Sequence, residues 1–152
     1  MKRVGLRALS RARDGATAVE FALVAPLFLA LVFGTLEFGR LLWTEQALQE
    51  TAIAGARCVA IAQGSNPTNS PCTSGGSYSS TTAITYIQGI ASGWGLSLPS
   101  ADISPNPAGN GGCAGLSQVT VTSTFKSVVP ELIQLSSSGI TLTASACYPN
   151  NS

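Results

Sequence analysis

The chain has 152 residues, of which 45% are apolar and only 10% charged, well below the roughly 25% charge of an ordinary soluble domain. It contains no histidine, which excludes Ser-His-Asp and Cys-His catalysis and removes the commonest transition-metal ligand. The net charge of +1 hides an asymmetry: Lys2, Arg3, Arg7, Arg11 and Arg13 open the chain, and from residue 16 onward Arg40, Arg57 and Lys126 face six carboxylates. No basic patch remains in the body to neutralise phosphates, so nucleic acid is not an expected partner.

Residues 1–15 read as a basic leader. The uncharged run 21–36 follows Glu20 and ends at Glu37. Sixteen residues give about 24 Å of helix, and the continuation through Trp43 exceeds the roughly 30 Å hydrocarbon core of a bilayer. Residues 16–43 are therefore expected to be a membrane-spanning helix, with Glu37 and Arg40 in pairing position and Trp43 suited to the interface. The leader cations place the N-terminus in the cytoplasm and everything after Trp43 outside.

Residues 44–63 continue the helix. The segment lacks proline, is dense in alanine, and stops at Gly64 and "SNP". A helix over 17–62 would be about 69 Å long. Its small side chains would let another backbone approach closely, or would simply lie on the chain's own head.

Residues 64–152 are expected to form a small α+β head. The polar stretch 64–82 reads as loop and 83–96 as a short helix. "SADISPNPAGNGGCAG" reads as a second loop, and "VVPELIQL" as a helical turn started by Pro130. Residues 117–127 and 139–149 alternate apolar and polar side chains and read as two antiparallel strands.

Cys58, Cys72, Cys113 and Cys147 contain no C-x-x-C pair, so metal or redox spacing gives way to a disulfide framework and an oxidising compartment. Four cysteines allow three pairings. The start of the first strand faces the end of the second, which favours Cys113 with Cys147 and leaves Cys58 with Cys72. A head with few large apolar side chains needs such staples.

The entrance to the apolar run poses a chemical question. A bare carboxylate in lipid is expensive, and Glu20 could simply mark the headgroup level. If the chain were cut between Gly15 and Ala16, the new amine would sit one helical turn before Glu20. A neighbouring copy shifted by about one turn could then neutralise that carboxylate.

"RARDG-ATAVEFALVAP" resembles a class III, prepilin-type signal: basic leader, glycine, and a glutamate five residues later in an apolar helix. The longer "GATAVEFALVAPLFLALVFGTLEFGRLLW" resembles the TadE-like family, minor pilins or pseudopilins of tight-adherence (Tad, or Flp) pili. The resemblance implies that a membrane prepilin peptidase cleaves between Gly15 and Ala16, and that Glu20 and Phe21 serve processing or subunit pairing. It implies other pilin subunits and an inner-membrane assembly platform as partners, with roles in adherence and biofilm formation. The protein would start as a single-pass inner-membrane protein with a periplasmic head, and could become extracellular in the pilus.

Three other readings compete. A secretory signal peptide lacks a small-x-small cleavage site after the apolar run. An unprocessed anchor carrying a periplasmic binding or scaffold domain differs from the pilin only in its mature N-terminus. An enzyme has little to build on. The serines lack an activating base, and Asp102 and Glu131 are isolated. No catalytic residue, cofactor, metal or small-molecule substrate is expected. Trp94 in "SGWGL" reads as a core or cap residue or as a surface contact.

Overall fold

The computed structural model describes residues 7–64, 70–127 and 139–150, with the side chains of 7–14 left aside. The expected turn at Pro130, and Glu131 with it, lie outside these residues. One helix, α1 (Arg7–Ala62), spans 56 residues, about 84 Å at 1.5 Å per residue. It starts ten residues earlier than the sequence reading placed it. The reason is local: 7–14 contains alanine, leucine and arginine, all good helix formers, and neither Asp14 nor Gly15 breaks a helix already propagating on both sides. Pro26 also lies inside α1.

After α1 the chain forms a small hairpin, β1 (Thr73–Ser74) with β2 (Ser77–Tyr78), inside the stretch read as plain loop. Helix α2 (Ser80–Gly93) follows. It begins three residues before the expected start because the Ser79 side chain caps it, accepting a hydrogen bond from the Thr82 N–H at 3.5 Å. Its C-terminus closes as a Schellman turn. The Leu96 N–H reaches the Ala91 carbonyl at 2.9 Å and the Gly95 N–H reaches Ser92 at 3.0 Å. Gly95 has φ +78°, a conformation that other residues adopt only at a cost.

Three strands complete the head: β3 (Ile103–Asn106), β4 (Leu116–Phe125) and β5 (Ile140–Pro149), antiparallel in the order β3-β4-β5. The stretch read as a second loop thus contains a strand. Pro105 hides it, yet proline is tolerated on an edge strand such as β3. In register, Ile103 sits opposite Val121 and Val121 opposite Ala144, and all three are buried.

The core lies between this sheet and the two helices. α1 contributes Leu48, Ala52, Ala56 and Val59, spaced three or four apart on one face; α2 contributes Ala83, Ile87 and Ala91 on the same spacing. The long β4 supplies Val119 and Val121 from alternate positions. Gly55 makes this packing possible. A Cβ there would stand 2.9 Å from Ile87 Cγ1 and 3.2 Å from Val119 Cγ1, closer than van der Waals contact allows.

Two expectations follow. Gly55→Ala gains helix propensity of about 1 kcal/mol but must push a fully buried isoleucine, an overpacking cost of about 1–3 kcal/mol. The net effect is a lower melting temperature, read by circular dichroism, and Gly55→Val should lose more. The Tyr78 hydroxyl is buried without a hydrogen-bond partner among the described residues, and burial pushes its pKa above the ordinary 10.0. The unfolded chain releases this proton first, so wild-type stability falls as pH rises from 10 toward the folded-state value. Tyr78→Phe should be neutral or stabilising by about 1 kcal/mol and should lack that alkaline loss in urea melts at pH 8 and above pH 10.

Candidate functional site

The N-terminal part of α1 is the part of the structure without cover. The window of α1 apolar enough to cross a membrane lies in Gly15–Ala62 and has none of its residues buried. Val19, Phe21, Leu23, Val24, Leu27, Phe28, Leu31 and Leu36 are all more than 60% exposed. They point to every side of the helix, because the run has no polar face. Such a surface is stable in lipid or against other helices and unstable in water.

The residues singled out at its entrance all lie on α1. Gly15, Ala16, Glu20 and Phe21 are exposed, and nothing comes within 4 Å of the position a Gly15 Cβ would take. Ala16 and Glu20 are four apart, on the same side of the helix and about 6 Å apart along its axis. Among the described residues no ion pair holds Glu20. The structure therefore brings together the bond after Gly15 and the carboxylate, one turn apart on an open surface. From Glu20 to Glu37, where the head begins, is seventeen residues, about 25 Å.

The junction with the head is built differently. Glu37 is 7% exposed, and the Arg40 guanidinium donates to both its carboxylate oxygens at 2.9 and 3.0 Å. The same guanidinium lies over the Phe125 ring, 5.4 Å from its centroid, which ties the last residue of β4 to α1. Trp43 meets Trp94, just past α2, edge to face with centroids 5.8 Å apart. Sequence spacing gave the pairing of Glu37 with Arg40. Nothing in the sequence signalled that Phe125 and Trp94, both distant in the chain, would close onto this turn of helix.

At the outer end of α1 the structure joins Cys58 to Cys72 and Cys113 to Cys147, with Cα atoms 5.8 and 5.9 Å apart, the separation disulfides ordinarily span. Ser70 supports the first bridge. Its hydroxyl donates to the Cys58 carbonyl at 3.0 Å and accepts from the Cys72 N–H at 3.3 Å. An open groove of about 420 Å³ runs past this bridge between Glu50, Ile53, Arg57, Ile61 and Tyr86. Arg57 is an exposed helix charge on its rim.

The bridges close loops of 14 and 34 residues, worth about 3 and 4 kcal/mol in the chain-entropy model. Reducing either should lower the urea midpoint of the head clearly. Cys113→Ser with Cys147→Ser should cost more than Cys58→Ser with Cys72→Ser, because its loop is longer.

Comparison with known proteins bears on α1. No curated protein matches the chain, and no solved structure does. Residues 15–57 match the family model described as TadE-like protein. The match begins at Gly15, runs through the exposed apolar segment and the junction at Glu37 and Arg40, and stops just before Cys58, so the head beyond α1 lies outside it. Over these residues, which form the greater part of its long helix, the chain is similar to TadE-like proteins.

Proposed function

We propose that the protein is a TadE-like minor pilin or pseudopilin of a Tad-type pilus. It is made as a single-pass membrane protein and matured by a prepilin peptidase between Gly15 and Ala16. The observation that carries this reading is the exposed apolar segment of α1, which begins where the family match begins and has no cover among the described residues. The role is structural: the helix packs first in lipid and then against other subunits.

The chemistry at the entrance follows from charge. Hydrolysis after Gly15 removes the five leader cations, which favour the cytoplasmic face of the bilayer by about 1 kcal/mol each near an anionic surface. It also creates an α-amine at Ala16. Glu20 on a neighbouring subunit, shifted by about one helical turn, then faces an opposite charge in a low-dielectric setting, where such a pair is strong. Before cutting, Glu20 would lie at the headgroup layer, a short way along the chain from the leader cations. After assembly it needs the amine. The continuous helix across Gly15 favours one competing reading, an unprocessed anchor, because a peptidase must first unwind the turns around that bond.

The N-terminus of the mature protein separates the two. Mass spectrometry of membrane and sheared surface fractions should find a chain starting at Ala16, whereas an intact leader in both fractions would establish the unprocessed anchor. Glu20→Ala should leave the fold of the head unchanged, because the two are about 25 Å apart. Breaking a buried charge pair costs about 3–5 kcal/mol, more than a hundredfold in association, so this variant should accumulate in the membrane and be missing from sheared pili. Normal incorporation would remove Glu20 from the mechanism.

A further inference from the structure

The head carries its exposed tryptophan at the end nearest the apolar helix, and this placement has a physical consequence. Two pairs of contacts fix the direction of the head. Ile87 of α2 packs at Gly55 and Trp94 packs at Trp43, so α2 runs back along α1. Val119 of β4 packs at Gly55 and Phe125 lies under Arg40, so β4 runs back along it too. The spans agree: six strand residues cover about 20 Å, and fifteen helix residues about 22 Å. Among the described residues, Trp94, the end of β4 and the start of β5 that pairs with it are therefore the parts of the head that come closest to the uncharged run 21–36.

Trp43 is seven residues beyond Leu36, about 10 Å along the axis, and helical side chains lean toward the N-terminus, which brings its ring down toward the headgroup layer. The Trp94 ring lies 5.8 Å from it, centroid to centroid, so its height cannot differ by more than that. Both remain exposed, Trp43 at 59% and Trp94 at 39%, although each has the other to pack against. The cations agree. Of the three after residue 16, Arg40 lies over Phe125 and Lys126 is the next residue, also exposed. Two exposed tryptophans and two cations at one level form the residue set that membrane–water interfaces favour, with rings among the headgroups and cations toward phosphates.

We propose that the head rests on the outer surface of the bilayer through Trp94, which together with Trp43, Arg40 and Lys126 forms an interfacial foot. The occupant of this surface is the phospholipid headgroup layer, and the proposal rests on the membrane-anchored reading of α1. The Schellman turn at Gly95 sets the ring in place, which gives that local structure a use beyond ending α2. The contact fixes the tilt of the head before the helix leaves the bilayer.

The chain holds two tryptophans, so conservative variants isolate each. Trp43→Phe leaves Trp94 as the reporter, and Trp94→Phe leaves Trp43. The full chain is placed in phosphatidylcholine vesicles with and without lipid brominated near the top of the acyl chain, and tryptophan emission is recorded. The proposal expects bromolipid to remove most of the emission in both variants, and the wild type to lose both signals. Quenching of Trp43 with Trp94 emission retained would overturn it, with the anchor intact and the head standing clear of the bilayer. Quenching of neither would overturn the anchored reading itself. The wild type guards against a variant that fails to fold: if its emission falls by the share of one tryptophan only, the proposal fails regardless of the variants.

Discussion

The rest of the structure depends on one constraint: a single helix must satisfy two different solvents. From Val19 to Leu36, α1 exposes ten large apolar side chains, and none of the other described residues covers them. Beyond Glu37 the same helix becomes an ordinary amphipathic element, with one face buried against a sheet and the other carrying Glu45, Gln49, Glu50 and Arg57. The change begins at the buried Glu37 and its partner Arg40 and is complete within about two turns, with Phe38, Leu42 and Trp43 still exposed. That pair offsets the cost of a carboxylate at the edge of the apolar run. It also positions the guanidinium over Phe125, so the residue that ends the membrane-like segment also begins the head.

The head is adapted to lie close to a helix. Ala47, Ala52, Ala56 and Ala60 are almost completely buried, and with Gly55 they make a flat strip on which α2 and the sheet approach α1 closely. Small side chains gain little hydrophobic free energy each, at about 25 cal/mol per Å² of area, so tight packing alone gives a modest core. The two disulfides make up part of the difference by restricting the unfolded chain, and they tie the outer end of α1 to the loop after it and one end of the sheet to its last strand. The end of the head nearest the apolar run has no disulfide among the described residues. There the charge, cation–π and aromatic contacts at Glu37, Arg40, Phe125, Trp43 and Trp94 perform the same task.

Much of this architecture was legible in the residues. The apolar run and its flanking charges gave the long helix, and period-two alternation in 117–127 and 139–149 gave β4 and β5, because both signals come from burial patterns that one strand or helix carries alone. β3 was not legible. Four residues containing Pro105 show no useful alternation, and the strand exists because β4 offers an edge at the right register. The hairpin at Thr73 and Tyr78 is similar: two-residue strands are defined by their partner and by the disulfide beside them. At the candidate site, Gly15, Ala16 and Glu20 could be picked out from spacing and resemblance. The foot of the head could not, since Trp94 and Trp43 are 51 positions apart in the chain and meet only after α2 folds back along α1.

The exposed segment also limits how the proposed pilin could leave the membrane. Burying a large apolar side chain stabilises by about 1.5–3 kcal/mol. Moving ten of them from lipid into water would therefore cost on the order of 20 kcal/mol, far more than one charge pair returns. The helix cannot pass through water on its way to a filament. It has to move from lipid directly into contact with other apolar helices, so that the change of surroundings is nearly neutral and the small terms decide the direction. Those small terms sit at the two ends of the segment. At the inner end, loss of the leader cations and gain of the Ala16 amine on the proposed cleavage would reverse the preference of Glu20. At the outer end, an interfacial foot would hold the head until packing replaces it. Pro26 lies between them and withholds the N–H that would otherwise bond the Ala22 carbonyl. This leaves the middle of the segment as the turn most easily bent while the two ends exchange partners.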